Sequence, residues 1–284
     1  MSQDLKGRDP RLTPAKATLA AESLRGIVDA PFYNEGVKRR VVEPVAGMRR
    51  APSSTAALDT EALQGEIATI YEDEGEGWAW GQLESDGYVG YLPSDALDVM
   101  DPAPTHKVRA QRTFLFPGPD IKLPPRAVLP FGARVEVREL RGAFAVTPQG
   151  FLPAVHVAPL DLLEADFVEV AARFLGTPYL WGGRSAFGLD CSGLVQTALA
   201  ACGIAAPRDS DQQESALGTA LPLDARLRRG DLLFWAGHVG IVEDEATLLH
   251  ANAFAMEVAR EPLPRALARI AEKTPLRSIK RLGI

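Results

Sequence analysis

Cysteine is nearly absent from this chain of 284 residues, which holds two, Cys191 and Cys202. Two thiols are too few for a disulfide framework at this length. With no CxxC pair and no closely spaced His and Cys set, they also give no reason to expect a metal. They read as reduced thiols, which fits a cytosolic compartment. Histidine is nearly as scarce, at four, and aromatic residues make up 7%. No run is apolar for long enough to span a membrane, and the opening residues MSQDLKGRDPRLTPAKATLAAESLRG contain no signal-peptide core. The expectation is a cytoplasmic protein with no membrane partner. Basic charge is not in excess either, since 31 Lys and Arg face 37 Asp and Glu for a net charge of −6. Proteins that bind a phosphate backbone concentrate cations on one face, so nucleic acid is not an expected partner.

What the chain does have is enough apolar residue, at 46%, to fill more than one core. Residues 1–40 mix charge with alanine and suggest an arm with a short helix around Pro14 to Val28 that packs on another domain. From Arg40 to about Val157 the texture becomes short β-branched runs broken by Gly, Pro and Asp, the pattern of small all-β modules. Two stretches of this region share one plan. The first passes through Met48-Arg-Arg-Ala-Pro52, Leu63-Gln-Gly-Glu66 and Gly77-Trp78-Ala79, and closes at Gly87-Tyr-Val-Gly-Tyr-Leu-Pro93. The second passes through Thr113-Phe-Leu-Phe-Pro117, Leu129-Pro-Phe-Gly132 and Gly142-Ala-Phe-Ala145, and closes at Gly150-Phe-Leu-Pro153. The repeat resembles tandem bacterial SH3-like barrels, assigned to 41–101 and 102–160. Beyond Pro159, apolar residues from Leu162 to Leu175 fall near helical spacing, a second helix follows, and three strand-like runs come after it. Residues 161–284 therefore read as an α+β domain.

That last domain holds the reactive chemistry. Cys191 ends a glycine-rich loop and begins an apolar segment, which places its thiol at a helix N-terminus. The unpaired amides and dipole there are expected to stabilise a thiolate and lower the thiol pKa from about 8.5. A cysteine hydrolase also needs a base in reach and a third group to orient it. His238 opens one predicted strand and His250 ends the next, so a hairpin would set them side by side, with His238 as base and His250 as the orienting group. Cys202, His106 and His156 read as structural.

Tyr179-x-Trp-Gly-Gly, Asp190-Cys-Ser-Gly193, Gly230-Asp-Leu and Gly237-His-Val-Gly-Ile241 resemble the NlpC/P60 cysteine peptidases in content and in order. The resemblance implies a papain-like fold with Cys191, His238 and His250 as catalytic triad and Tyr179 at the oxyanion region. It places Asp190, Ser192, Asp209 and Ser210 against substrate, and it calls for no cofactor. Two SH3-like modules ahead of such a domain look like the γ-D-glutamyl-L-diamino acid endopeptidases. In those enzymes the first module reads the free amine of an N-terminal L-Ala on a murein peptide, a role that falls here to Glu66 and Tyr88. The alternatives are an amidase or acyltransferase on the same scaffold, or a non-catalytic wall-binding module. The oligomeric state is open.

Overall fold

The computed structural model describes residues 5, 7–73, 75–100 and 103–283. Contacts divide the chain into two compact units, Met1–Leu160 and Asp161–Ile284.

In the first unit, the residues expected to form a short helix are extended. Ala15–Lys16 pairs antiparallel with Leu19–Ala21, Leu19–Ala21 pairs in parallel with Phe32–Asn34, and only Glu22–Leu24 closes a single 3-10 turn. The alanine-rich stretch that suggested a helix serves another purpose. Leu19, Ala20 and Ala21 are all buried, as in a strand covered on both faces. With Leu24 and Val28 they cluster on Tyr71 and Trp80, so the segment is an arm packed on the barrel that follows.

That barrel orders seven strands as Leu97–Asp98, Val37–Val41, Ile67–Asp73, Trp78–Leu83, Val89–Pro93, Val45–Arg49 and Leu58–Leu63. Its first strand begins at Val37, ahead of the boundary at residue 41 drawn from composition. Alternation along the strands turns Val41, Met48, Leu83 and Leu92 inward to a common core. The second module is built from shorter ladders around Val108, Leu115, Leu129 and Leu152.

The repeat seen in the sequence is a repeat of structure. Val89–Pro93 and Gly150–Pro153 each run into a one-turn 3-10 helix, Ser94–Ala96 and Ala154–His156, and then into a short return strand. The turns preceding the central strands carry Gly65 and Gly132 at φ of 83° and 85°, a conformation that disfavours any side chain. At this turn the two modules meet, because Gln64 O accepts the Arg134 amide at 2.7 Å.

The second unit opens with helix α1, Phe167–Ala172, shorter than the periodicity from Leu162 predicts. Asp166 accepts the amides of Val168 and Glu169, and this cap starts the helix beyond Leu162 and Leu163, which stay exposed. Helix α2, Cys191–Ala201, is buried along most of its length, α3 is Ser210–Ala216 and α4 is Leu263–Ala271. The antiparallel sheet runs Thr219–Leu221, Ser278–Arg281, Leu232–Trp235, His238–Asp244, Thr247–Asn252, Glu257–Pro262. Asp231, fully buried before the third of these strands, is held by Arg281 at 2.7 Å and accepts the Arg228 amide. The Gly230-Asp-Leu block is thus a fastening for the sheet.

Candidate active site

Cys191 is the first residue of α2, and Asp190 is its N-cap. One Asp190 oxygen accepts the Gly193 amide at 2.7 Å, the Ser192 hydroxyl at 3.2 Å and Arg208 Nη1 at 2.9 Å. The other accepts the Gly182 amide at 2.9 Å and Arg208 Nη2 at 2.6 Å. The role the structure shows for Asp190 is therefore to build the site: five donors from the protein already converge on its carboxylate. Ser192 is buried beside it and also accepts from Arg208 at 3.0 Å.

Arg208 is the residue that sequence reading passed over. It is fully buried, and besides Asp190 it donates to Gly183 O at 3.2 Å, so it ties the Gly-Gly turn to the helix start. Breaking a buried ion pair of this kind by removing one partner costs about 3–5 kcal/mol. In sequence it sits inside the polar run Arg208-Asp-Ser-Asp-Gln-Gln213, which looks like an ordinary solvated loop. The available signal was an arginine next to a proline and just ahead of a capping acid. Asp209 is that cap: it stands before α3 in a capping box with Gln212, and Ser210 begins the helix, both half-buried. Gln213 Nε2 donates to Ser192 O at 2.9 Å and to Pro207 O at 2.9 Å, which fixes α3 against the first turn of α2.

The thiol faces the strand that begins at His238. Cys191 Sγ lies 4.0 Å from Gly237 O, and the Val239 amide is a further neighbour that favours its ionised form. Both main-chain neighbours of His238 therefore border the sulfur. His238 Nε2 is 2.9 Å from Nδ1 of His250, and the rings are tilted by 59° with centroids 5.2 Å apart. Trp235, opposite His238 in the sheet register, packs on its other side with centroids 5.5 Å apart. The hairpin from 238 to 252 thus sets the two histidines side by side. His250 is 1% exposed, so its orientation is fixed by packing.

The electrostatics differ from the sequence expectation. Burial, followed by the charge of Asp190, pushes the Cys191 thiol up to about 12 instead of lowering it. The helix end that was to supply a positive potential carries its own capping carboxylate, and the sulfur has little water. Burial likewise pushes His238 down to about 3, with His250 adding to the effect, and His250 down to about 4. Both shifts favour a thiol on Cys191 and a neutral imidazole on His238 at neutral pH. Tyr179 sits near Cys191, with its phenol held above the usual range first by burial and then by Cys191 and Asp190. It therefore stays protonated and able to donate. Its amide binds Met256 O at 2.9 Å, and Met256 is the only non-glycine residue at positive φ among those described.

The first unit holds Glu66 and Tyr88, both buried. Glu66 follows the Gly65 turn, and its Oε2 accepts the Leu63 amide at 2.8 Å. Tyr88 packs in the barrel core with Met48 and Leu92, so a substrate role would fall to its hydroxyl alone. Tyr91, on the strand Val89–Pro93 that follows, is half-buried. A second buried carboxylate, Glu61, lies on the strand leading to the same turn. His106 and His156 bind Thr105 and Thr113 at 2.8 Å in the second module. Among the described residues, no three His, Cys, Asp or Glu side chains gather as metal ligands, and no helix is long and apolar enough to cross a membrane.

A cysteine on the first turn of a buried helix, set against paired histidines on adjacent antiparallel strands, defines a papain-like cysteine hydrolase. The profile of the NlpC/P60 family matches residues 176–267, and that of the bacterial dipeptidyl-peptidase SH3 domain matches residues 48–97. The gamma-D-glutamyl-L-lysine dipeptidyl-peptidase of Bacillus subtilis (strain 168) is 31% identical over 221 residues, covering 68% of this chain and 72% of its own. The protein of the same name from Bacillus cereus is 28% identical over 246 residues, with 72% and 71% covered. The crystal structure of an NlpC/P60 family protein from Bacillus cereus ATCC 10987 has the same fold, with a TM-score of 0.73 at 21% identity over 86% of this chain and 99% of that one. The chain belongs to the NlpC/P60 family of cysteine peptidases.

Proposed function

We propose that this peptidase hydrolyses the bond between γ-D-Glu and an L-diamino acid in murein peptides whose N-terminal L-Ala is free. The observation that carries the chemistry is the Cys191 sulfur bordered by both main-chain neighbours of His238, itself bonded to His250. Cys191 Sγ attacks the γ-carbonyl as His238 takes the thiol proton. The Tyr179 hydroxyl and the Cys191 amide stabilise the oxyanion; one such donor commonly contributes about 100- to 1,000-fold in rate. The C–N bond breaks as His238 returns the proton to the diamino-acid amine. A water deprotonated by His238 then cleaves the thioester and frees the thiol. Ser192, Asp209 and Ser210 contact the D-Glu portion, with Asp190 and Arg208 holding their frame.

Selectivity falls to the first barrel. An ammonium taken out of water needs a carboxylate, and a site built for it rejects an uncharged amide at the same place. Glu66 fills that role with Tyr88, supported by its burial and by the named activity of the relatives. A free L-Ala amine implies that the peptide has already been cut from its glycan, which supports a role in the recycling of released fragments.

The test compares L-Ala-γ-D-Glu-diaminopimelate with its N-acetylated form by mass spectrometry. Cleavage of the free peptide alone is the expected result, and Cys191→Ala should abolish it. Failure to cleave either peptide overturns the substrate assignment, and equal cleavage of both overturns the amine requirement. Loss of selectivity in Glu61→Gln but not Glu66→Gln would move the amine partner to the other side of the Gly65 turn.

A further inference from the structure

Behind His250 lies a second pair of charges that the triad does not include. In the pairing of Thr247–Asn252 with Glu257–Pro262, His250 faces Ala259 and Leu248 faces Glu261, so Glu261 is the diagonal neighbour of His250 on one face of the sheet. Glu261 Oε2 stands 3.3 Å from His250 Nε2, without the alignment of a full hydrogen bond. The same carboxylate is gripped from α4 by Arg269, with Nε on Oε1 at 2.9 Å and Nη2 on Oε2 at 2.6 Å. One oxygen therefore faces both the guanidinium and the buried ring.

This matters because only one arrangement of protons lets His238 act as a base. His238 Nε2 is committed to His250, which leaves Nδ1 for the thiol. For Nδ1 to carry a lone pair, the His238 proton must sit on Nε2 and be accepted by His250 Nδ1. The proton of His250 is then on its Nε2, the atom facing Glu261. In the opposite tautomer a ring lone pair would point at a carboxylate, and His238 would present N–H to the sulfur.

We propose that Glu261 is a positioning residue that selects the tautomers of His250 and, through it, of His238, and that Arg269 holds Glu261 for this task. This rests on the assignment of Cys191, His238 and His250 as the reacting set. Removing the carboxylate alone does more than delete a contact. It leaves the Arg269 guanidinium, a pure donor, next to His250 Nε2, where it favours a lone pair and so the unproductive tautomer. Removing Arg269 as well withdraws that donor. The two substitutions are therefore strongly non-additive.

The experiment needs no peptide substrate. Long-range 1H–15N spectra of the wild-type protein report the tautomer of each histidine, and the rate of Cys191 alkylation by iodoacetamide, followed by mass spectrometry of the Cys191 peptide, reports the base. The expected wild-type result is N–H at Nε2 of both rings. Glu261→Ala should move His250 to the Nδ1–H form and slow alkylation by about 100-fold, the scale of a lost general base. Glu261→Ala with Arg269→Ala should recover most of that rate. A wild-type His250 protonated at Nδ1 overturns the proposal even if no variant folds. So does a Glu261→Ala protein with unchanged tautomers, or a double variant as slow as the single one. His238→Ala is the control for the triad: if it leaves alkylation unchanged, the assignment of the base fails and the role of Glu261 is not what has been measured.

Discussion

At the residue scale, the two histidines tie stability to acidity. Each is neutral in the folded protein down to about 3 for His238 and about 4 for His250, from an ordinary value of 6.5. The unfolded chain binds both protons as pH falls below that ordinary value, while the native state does not. Folding is therefore penalised progressively as pH drops from about 6.5 toward 4, at about 1.4 kcal/mol per pH unit for each proton. Urea unfolding midpoints measured across that window should fall steeply in the wild type. His250→Asn, which removes one of the two groups, should flatten the acid limb by about one proton. An identical slope in the variant would show that His250 is not buried as a neutral ring. Burial of the two proposed catalytic histidines thus trades acid tolerance for neutral rings at neutral pH.

Secondary-structure elements explain which parts of the site could be read directly. Cys191, Asp190 and Ser192 are consecutive, so one loop-to-helix junction displays them together in the sequence. His238 and His250 lie on adjacent strands of one hairpin and are nearly as visible. Arg208 and Glu261 are not, because they reach the site through packing: Arg208 from a loop ahead of α3, Glu261 from strand register. The arm shows the opposite failure. The stretch Pro14 to Val28 suggested a short helix, and burial on both sides of a short strand at Leu19–Ala21 used its apolar residues otherwise. Within α2, Gly193 has a role the motif alone does not disclose. A Cβ there would lie 2.2 Å from Gly183 O, main chain that cannot step aside, since it also binds Arg208 and the Asp190 amide. Gly193→Ala should cost about 1–3 kcal/mol by overpacking and should reduce activity with it, as read from chemical denaturation and Cys191 alkylation. A wild-type midpoint would show that the junction can open without loss.

At the scale of the whole molecule, chemistry and selectivity are assigned to different units. The proposed reacting groups all lie between Tyr179 and His250, and the proposed amine partner lies in the first barrel. Glu66→Gln should therefore change the ratio of free to acetylated peptide cleaved while leaving the iodoacetamide rate at Cys191 as in the wild type. A fall in that rate would mean that Glu66 supports the catalytic unit as well. The multidomain order was legible because composition changes sharply near Arg40 and Pro159 and because the two modules share their closing motif. Their contact was not: Gln64 and Arg134 are unremarkable in sequence, and only the folded chain brings the equivalent turns together.

The only two sulfhydryls of the protein sit at opposite ends of the same eleven-residue helix, Cys191 as its first residue and Cys202 as its C-cap. A rigid helix keeps them about 16 Å apart along its axis, well beyond the roughly 7 Å between Cα atoms that a disulfide allows. Oxidants therefore have no internal disulfide with which to shelter Cys191, the proposed nucleophile. Oxidation by peroxide starts at sulfenic acid, which added thiol repairs through a mixed disulfide, whereas further oxidation to sulfinic acid is beyond the reach of thiol, and Cys202 is too far away to intercept it.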